Sequence, residues 1–230
     1  MKMMDRLREG DASFLRDGPV NLAFFGDSIT QGCFEDGVCD FDAVYHAQLK
    51  RMLHEKYPGF PINILNAGVG GSTAKQSLNR LERDVLRHHP DAAVVCFGLN
   101  DVTGTLEDYV SSLASIFRTL QEHQTDTVFM TPNMLNTRMD EAFLAASPFR
   151  EYALGTMKLQ TGGTMDAFMS AACECARSFG IPVCDCYAEW KSMAAAGKDT
   201  TALLANRINH PSREMHTLFA GKLLTVLENS

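Results

Sequence analysis

No apolar run among the 230 residues approaches the roughly 20 that a membrane-spanning helix needs. Residues Met1 to Pro19 lack an apolar h-region and a small-residue cleavage site, and they carry Lys2, Asp5, Arg6, Arg8 and Glu9. They do not read as a secretory leader. Basic residues are in deficit, 21 Lys and Arg against 28 Asp and Glu, for a net charge of −7. That balance argues against nucleic acid or an acidic membrane as partner, since both need a basic surface. Internal repeats, low-complexity tracts and linker-like stretches are also missing, so the expectation is one domain over 1–230 with residues 1–19 as an N-terminal extension. The cysteines number seven, at 33, 39, 96, 173, 175, 184 and 186. An odd count without a leader fits reduced thiols and a cytoplasmic protein. The pairs Cys173/Cys175 and Cys184/Cys186 are C-x-C, narrower than the usual C-x₂₋₄-C of zinc sites. They read as buried free thiols, and no metal is expected.

What is present is a regular alternation of strands and helices. Apolar runs at 20–25, 62–65, 92–97, 127–130 and 181–186 read as five strands. Helices are expected at about 41–56, after residue 73, near 106–120, at 164–179, 189–195 and 213–227, with a short polar helix before residue 17. The helix over 106–120 is the clearest. Leu106, Tyr109, Val110, Leu113, Phe117 and Leu120 keep the 3.6-residue period, and Thr105 is its N-cap. Five alternations predict right-handed crossovers and a parallel sheet between two helical layers. Segment 133–162 is less regular and rich in Met and Phe, and it follows a strand end, where it is expected to shape a pocket.

In an open α/β sheet, chemistry collects at the carboxyl ends of the strands. Ser28 follows the first strand in Gly26-Asp27-Ser28-Ile29. Gly71 lies in a glycine-rich turn after the second, where a backbone N–H can approach a ligand unobstructed. Asn100 follows the third in Gly98-Leu99-Asn100-Asp101, and His210 comes late, in Ile208-Asn209-His210-Pro211. Acyl transfer needs a nucleophile with a base, and donors for the tetrahedral oxyanion.

These four stretches, in this order and each after the expected element, resemble the signature blocks of the SGNH (GDSL) hydrolases over about residues 20–220. The resemblance implies a flavodoxin-like three-layer α/β/α sandwich with a five-stranded parallel sheet. It implies Ser28 as nucleophile and His210 as general base. The N–H groups of Ser28 and Gly71 and the side-chain amide of Asn100 would form the oxyanion hole. No cofactor is implied, because protein groups fill every role. Asp27 and Asp101 would be structural. The expected reaction is hydrolysis of a small-molecule O-acyl ester through an acyl-serine, with a short acyl group on a carbohydrate as the first guess.

One position departs from the pattern. The family usually places an aspartate three residues before the histidine, and Arg207 stands there. Arginine accepts no hydrogen bond. The imidazole would then be oriented by Asn206, by a carbonyl of the 204–209 loop, or by a distant carboxylate such as Asp185 or Asp199. Two other uses of the scaffold stay open: acyl transfer to an alcohol other than water, and a non-catalytic protein whose Arg207 holds an anionic ligand. His216 is expected on a helix surface, and His46, His54, His88, His89 and His123 are given no role in the chemistry.

Overall fold

The computed structural model describes residues 1–145 and 147–230. Five strands form one all-parallel sheet: β1 (Val20–Gly26), β2 (Ile62–Gly68), β3 (Ala92–Cys96), β4 (Asp126–Met130) and β5 (Val183–Cys184). Their order is β2-β1-β3-β4-β5. The helices are α1 (Lys2–Glu9), α2 (Asp11–Asp17), α3 (Ser28–Gln31), α4 (Tyr45–Lys56), α5 (Ala74–Ser77), α6 (Leu81–Asp84), α7 (Leu106–Glu122), α8 (Glu141–Leu144), α9 (Arg150–Thr161), α10 (Thr164–Ser178), α11 (Cys186–Ala195) and α12 (Arg213–Glu228).

Right-handed crossovers decide the layers. The chain moves one way from β1 to β2, so α4 lies on one face, where it packs against α12. It then reverses, and α5 and α10 each pack against α7 on the other face. The reversal falls between β1 and β3, which is the switch point where open α/β sheets bind ligands. Strands β1 and β3 are covered on both faces, and Leu22 to Phe25 and Val94 to Cys96 are wholly buried.

Thr105 caps α7 by accepting the Asp108 N–H, as its sequence position suggests. Several boundaries differ from expectation. The expected strand 181–186 keeps only two paired residues, because Asp185 accepts the Ala188 N–H and starts α11 at Cys186. Cys184 and Cys186 therefore do not share a strand, although their sulfurs lie 3.7 Å apart in the core. The single helix expected after residue 73 is broken into α5, a 3₁₀ turn (Leu78–Arg80), α6 and a second 3₁₀ turn (Leu86–His88). The break turns Arg80 inward, where it donates to the carbonyls of Ala67 and Gly26 and lies over the Phe25 ring. Gly10, with φ at +69°, splits the N-terminal segment into α1 and α2. That segment is not merely polar: Met3, Met4 and Leu7 are buried in the main core. Among the described residues, no helix is long and apolar enough to cross a membrane.

Candidate active site

The first turn after β1 is held by a short-range device. Asp27 is the N-cap of α3, and its Oδ1 accepts the Ile29 N–H at 3.0 Å. There is no room for a side chain at Gly26: a Cβ there would collide with the Thr30 side chain of α3 and lie 2.6 Å from the Cys96 carbonyl oxygen of the neighbouring strand β3. Ser28 is the first residue of α3 and is 7% exposed.

His210 reaches it from the far end of the chain. Its Nε2 lies 3.0 Å from Ser28 Oγ. Its Nδ1 lies 2.9 Å from the backbone carbonyl oxygen of Phe34. A carbonyl only accepts, so the Nδ1 proton is donated to Phe34 and Nε2 is left as an acceptor for the serine hydroxyl. Burial lowers the His210 pKa from its ordinary value; the Phe34 bond and the charge of Asp36 oppose the shift.

This corrects the expectation about what orients the imidazole. Asn206 does not accept from the ring. Its Oδ1 already takes the backbone N–H groups of Ile208, Asn209 and His210, each at 3.0 Å. Its Nδ2 donates to Asn209 Oδ1. Asn206 shapes the loop, and the acceptor lies outside 204–209. Asp185 is occupied with Thr131 and the α11 cap. Asp199 binds Arg138. Arg207, with φ at +58°, donates to the carbonyls of Ala202 and Leu204 and lies over the Phe143 ring. It is not among the residues lining the cleft.

The cleft above Ser28 has a volume of about 400 Å³. Gly70, Gly71 and Asn100 form its floor beside the serine. Gly71 adopts φ of +75°, the left-handed region that favours glycine. Among the described residues, the N–H groups of Ser28 and Gly71 have no hydrogen-bond partner. Asn100 Nδ2 donates to the Ser72 carbonyl at 3.1 Å and to Asp27 Oδ2 at 3.4 Å. Both amide protons therefore have acceptors, and donation to an oxyanion requires one to be exchanged. The Asp27 contact is the longer and weaker of the two.

Two buried carboxyls lie behind this floor. Burial pushes Asp27 up to about 7, with the Ile29 N–H opposing and Asp101 adding. Burial likewise pushes Asp101 up to about 6. Asp101 Oδ1 accepts the Ala74 N–H at the start of α5.

The walls come from residues that sequence patterns did not single out. One wall is the loop 33–39, with Asp36 and Val38. The other is Phe149 and Tyr152 at the start of α9, inside the segment expected to shape the pocket. Asn209 Nδ2 donates to the Tyr152 hydroxyl at 3.4 Å. The Met- and Phe-rich composition pointed to the segment but not to these two side chains. The Phe34 carbonyl had no sequence signal, since every residue has one. His216 is also corrected: it is wholly buried, and its Nδ1 accepts the Tyr45 N–H. Burial lowers its pKa to about 3. Among the described residues, no group of three or more His, Cys, Asp or Glu is placed to hold a metal ion.

The model of the GDSL-like lipase/acylhydrolase family matches residues 24–218. An acetylxylan esterase from Geobacillus stearothermophilus is 29% identical over 128 residues, 48% of this chain and 58% of that esterase. The match thus spans little more than half of that relative's length. Among solved structures, Axe2, an acetylxylan esterase from Geobacillus stearothermophilus, superposes with a TM-score of 0.68 at 24% identity, covering 90% of this chain and 94% of that one. A two-domain esterase (CEX) active on acetylated mannans gives 0.71 at 20% identity, over 99% of this chain and 52% of that one. The acetyl xylan esterase AlAXEase gives 0.68 at 21%, over 90% and 98%.

Proposed function

The chain belongs to the GDSL-like lipase/acylhydrolase family, and on that premise we propose that it is a serine carboxylic ester hydrolase that removes short acyl groups from acylated carbohydrates. The observation that carries this reading is the relay Ser28 Oγ–His210 Nε2 at 3.0 Å and His210 Nδ1–Phe34 carbonyl at 2.9 Å, at the base of an open cleft.

His210 takes the Ser28 proton as Oγ attacks the ester carbonyl. The N–H groups of Ser28 and Gly71, with Asn100 Nδ2, stabilise the oxyanion. The imidazolium then protonates the leaving alcohol. Water, deprotonated by His210, attacks the acyl-serine and releases the acid. Phe34 supplies a fixed neutral dipole where other hydrolases supply a carboxylate, so it sets the tautomer but stabilises the imidazolium less. The Asp36 carboxylate at the cleft wall adds charge of the favourable sign.

The carbohydrate assignment draws on the acetylxylan esterases and the mannan-active esterase to which the chain is similar. Phe149 and Tyr152, each about two-fifths exposed beside the serine, offer the apolar faces on which sugar rings stack. The reading that Arg207 holds an anionic ligand loses its basis, because that guanidinium caps carbonyls away from the cleft.

The test is fluorophosphonate labelling followed by intact mass, with acetate release from acetylated xylo-oligosaccharides as the substrate arm. One adduct on wild type, mapped to Ser28 and lost in Ser28→Ala and His210→Ala, is the expected result. A folded protein that takes up no probe would overturn the reading. Asn100→Ala should lower turnover by about 10²–10³, the cost of one oxyanion donor.

A further inference from the structure

Loop 33–39 is more than a wall of the cleft. Its ends are zipped as an antiparallel pair. Phe34 N–H donates to the Val38 carbonyl, and Asp40 N–H donates to the Gly32 carbonyl, both at 2.9 Å. Cys33 and Cys39 therefore face each other across a non-hydrogen-bonded position. At such positions the Cα atoms come within about 4.5 Å, inside the 4.4–6.8 Å window that a disulfide spans without backbone movement. Their sulfurs are 3.3 Å apart. Both side chains line the cleft, Cys39 is exposed and Cys33 half-buried. The other five cysteines are buried. Inside the turn that this pair closes sits Phe34, whose carbonyl fixes His210.

We propose that Cys33 and Cys39 are a reversible disulfide site, oxidised by a low-molecular-weight disulfide of the glutathione class, and that the bond clips shut the loop carrying the Phe34 carbonyl; its bearing on catalysis rests on the hydrolase reading above.

The exchange is balanced. Cys39 gives up its proton, and its thiolate attacks one sulfur of the small disulfide. A Cys39–glutathione bond forms and one glutathione thiolate leaves. The Cys33 thiolate then attacks Cys39 Sγ, forming the internal bond and expelling the second glutathione thiolate. The two protein thiols lose two electrons and two protons, and the small disulfide becomes two thiols. Exposure selects Cys39 for the first step. Burial, followed by the neighbouring Cys39 thiol, raises the Cys33 pKa. Capping Cys39 removes the second of these causes before Cys33 has to act. Oxidation asks little of the loop, which already has the register of the closed form. Arg213 holds the same loop from α12 through Glu35 at 2.8 Å and Asp40 at 3.0 Å. The clip thus fastens the cleft side of a loop already tethered from behind.

The test incubates the full-length protein in glutathione buffers of graded redox ratio, alkylates the remaining thiols and maps peptides. Cleavage after Arg16 and Lys50 releases Asp17–Lys50, which contains Cys33 and Cys39 and no other cysteine. The expected result is a peptide lighter by two hydrogens, closed to alkylation and reopened by dithiothreitol. Cys33→Ser should instead trap a glutathione adduct on Cys39. Oxidised wild type should keep fluorophosphonate labelling of Ser28 at temperatures where reduced protein has lost it. A peptide that stays alkylatable at both cysteines, or a glutathione adduct persisting on wild-type Cys39, overturns the disulfide. Equal heat loss of labelling in both redox states overturns the clip. A clean disulfide with no labelling in either state supports the site and counts against the hydrolase reading alone.

Discussion

Arg207 stands where a carboxylate is usual, yet its side chain closes its own loop by donating to Ala202 and Leu204. Arg207→Ala should therefore leave probe labelling and turnover close to wild type, with the effect confined to stability. A large loss of turnover with the fold intact would mean that the guanidinium acts on the reaction. Asn206→Ala should behave in the opposite way to a catalytic change. It strands three backbone N–H groups in a buried loop, and each unsatisfied donor costs about 1–3 kcal/mol. The urea midpoint should drop together with activity. In the proposed mechanism His210 must be neutral to accept the serine proton, and burial lowers its pKa below 6.5. The acid limb of the labelling rate should therefore have its midpoint below pH 6.5. Asp36→Asn, which removes a charge that raises this pKa, should move the limb to still lower pH.

At the scale of elements, the site depends on how tightly α3 sits on the sheet. Gly26→Ala would drive a methyl into the Thr30 side chain of α3 and against the Cys96 carbonyl of β3, which is backbone and cannot swing aside. Overpacking of this kind costs about 1–3 kcal/mol, and here it also displaces Ser28. Calorimetry should show a lower Tm, and labelling should slow more than the stability loss alone explains. The elements also separate what was legible in the sequence from what was not. Ser28, Gly71, Asn100 and His210 could be placed because each follows a strand or precedes a helix that periodicity marks. The structure brings Ser28 and His210 together and sets Gly71 and Asn100 beside them. The break at Arg80 was hidden, because Leu78, Leu81, Val85 and Leu86 keep a helical spacing while the guanidinium is drawn inward to strand carbonyls. The surface assignment of His216 failed for a related reason. A histidine counts as polar in any pattern, but here the buried ring packs on Phe34 and Tyr45.

For the whole molecule, buried ionisable groups pull stability in opposite directions with pH. Burial lowers His46 to about 4 and His216 to about 3, from an ordinary 6.5. Below pH 6.5 the unfolded chain binds those protons and the native state does not, so stability is lost on acidification. Asp27 at about 7 and Asp101 at about 6 start from an ordinary 3.8. Between those limits the native state binds the extra protons, so stability is gained on acidification and lost as pH rises through the raised values. The carboxyls thus offset much of the histidines' loss, to which His210, also lowered by burial, adds. The urea midpoint of wild type should fall only modestly from pH 7 to 5. Asp101→Asn, which keeps an acceptor for the Ala74 N–H, should steepen that fall. A profile unchanged by the substitution would mean that Asp101 titrates normally in the native state.

The Phe34 carbonyl has a genetic consequence. No codon change can delete a main-chain oxygen, so the group that orients His210 is invisible to alanine scanning, which would report an unaided Ser–His dyad. The same property makes this part of the machinery resistant to point mutation. It can be lost only by changing the length or path of the chain between Ser28 and Val44. Insertions and deletions in that loop, rather than substitutions at position 34, are therefore the changes to which the imidazole's alignment is most sensitive.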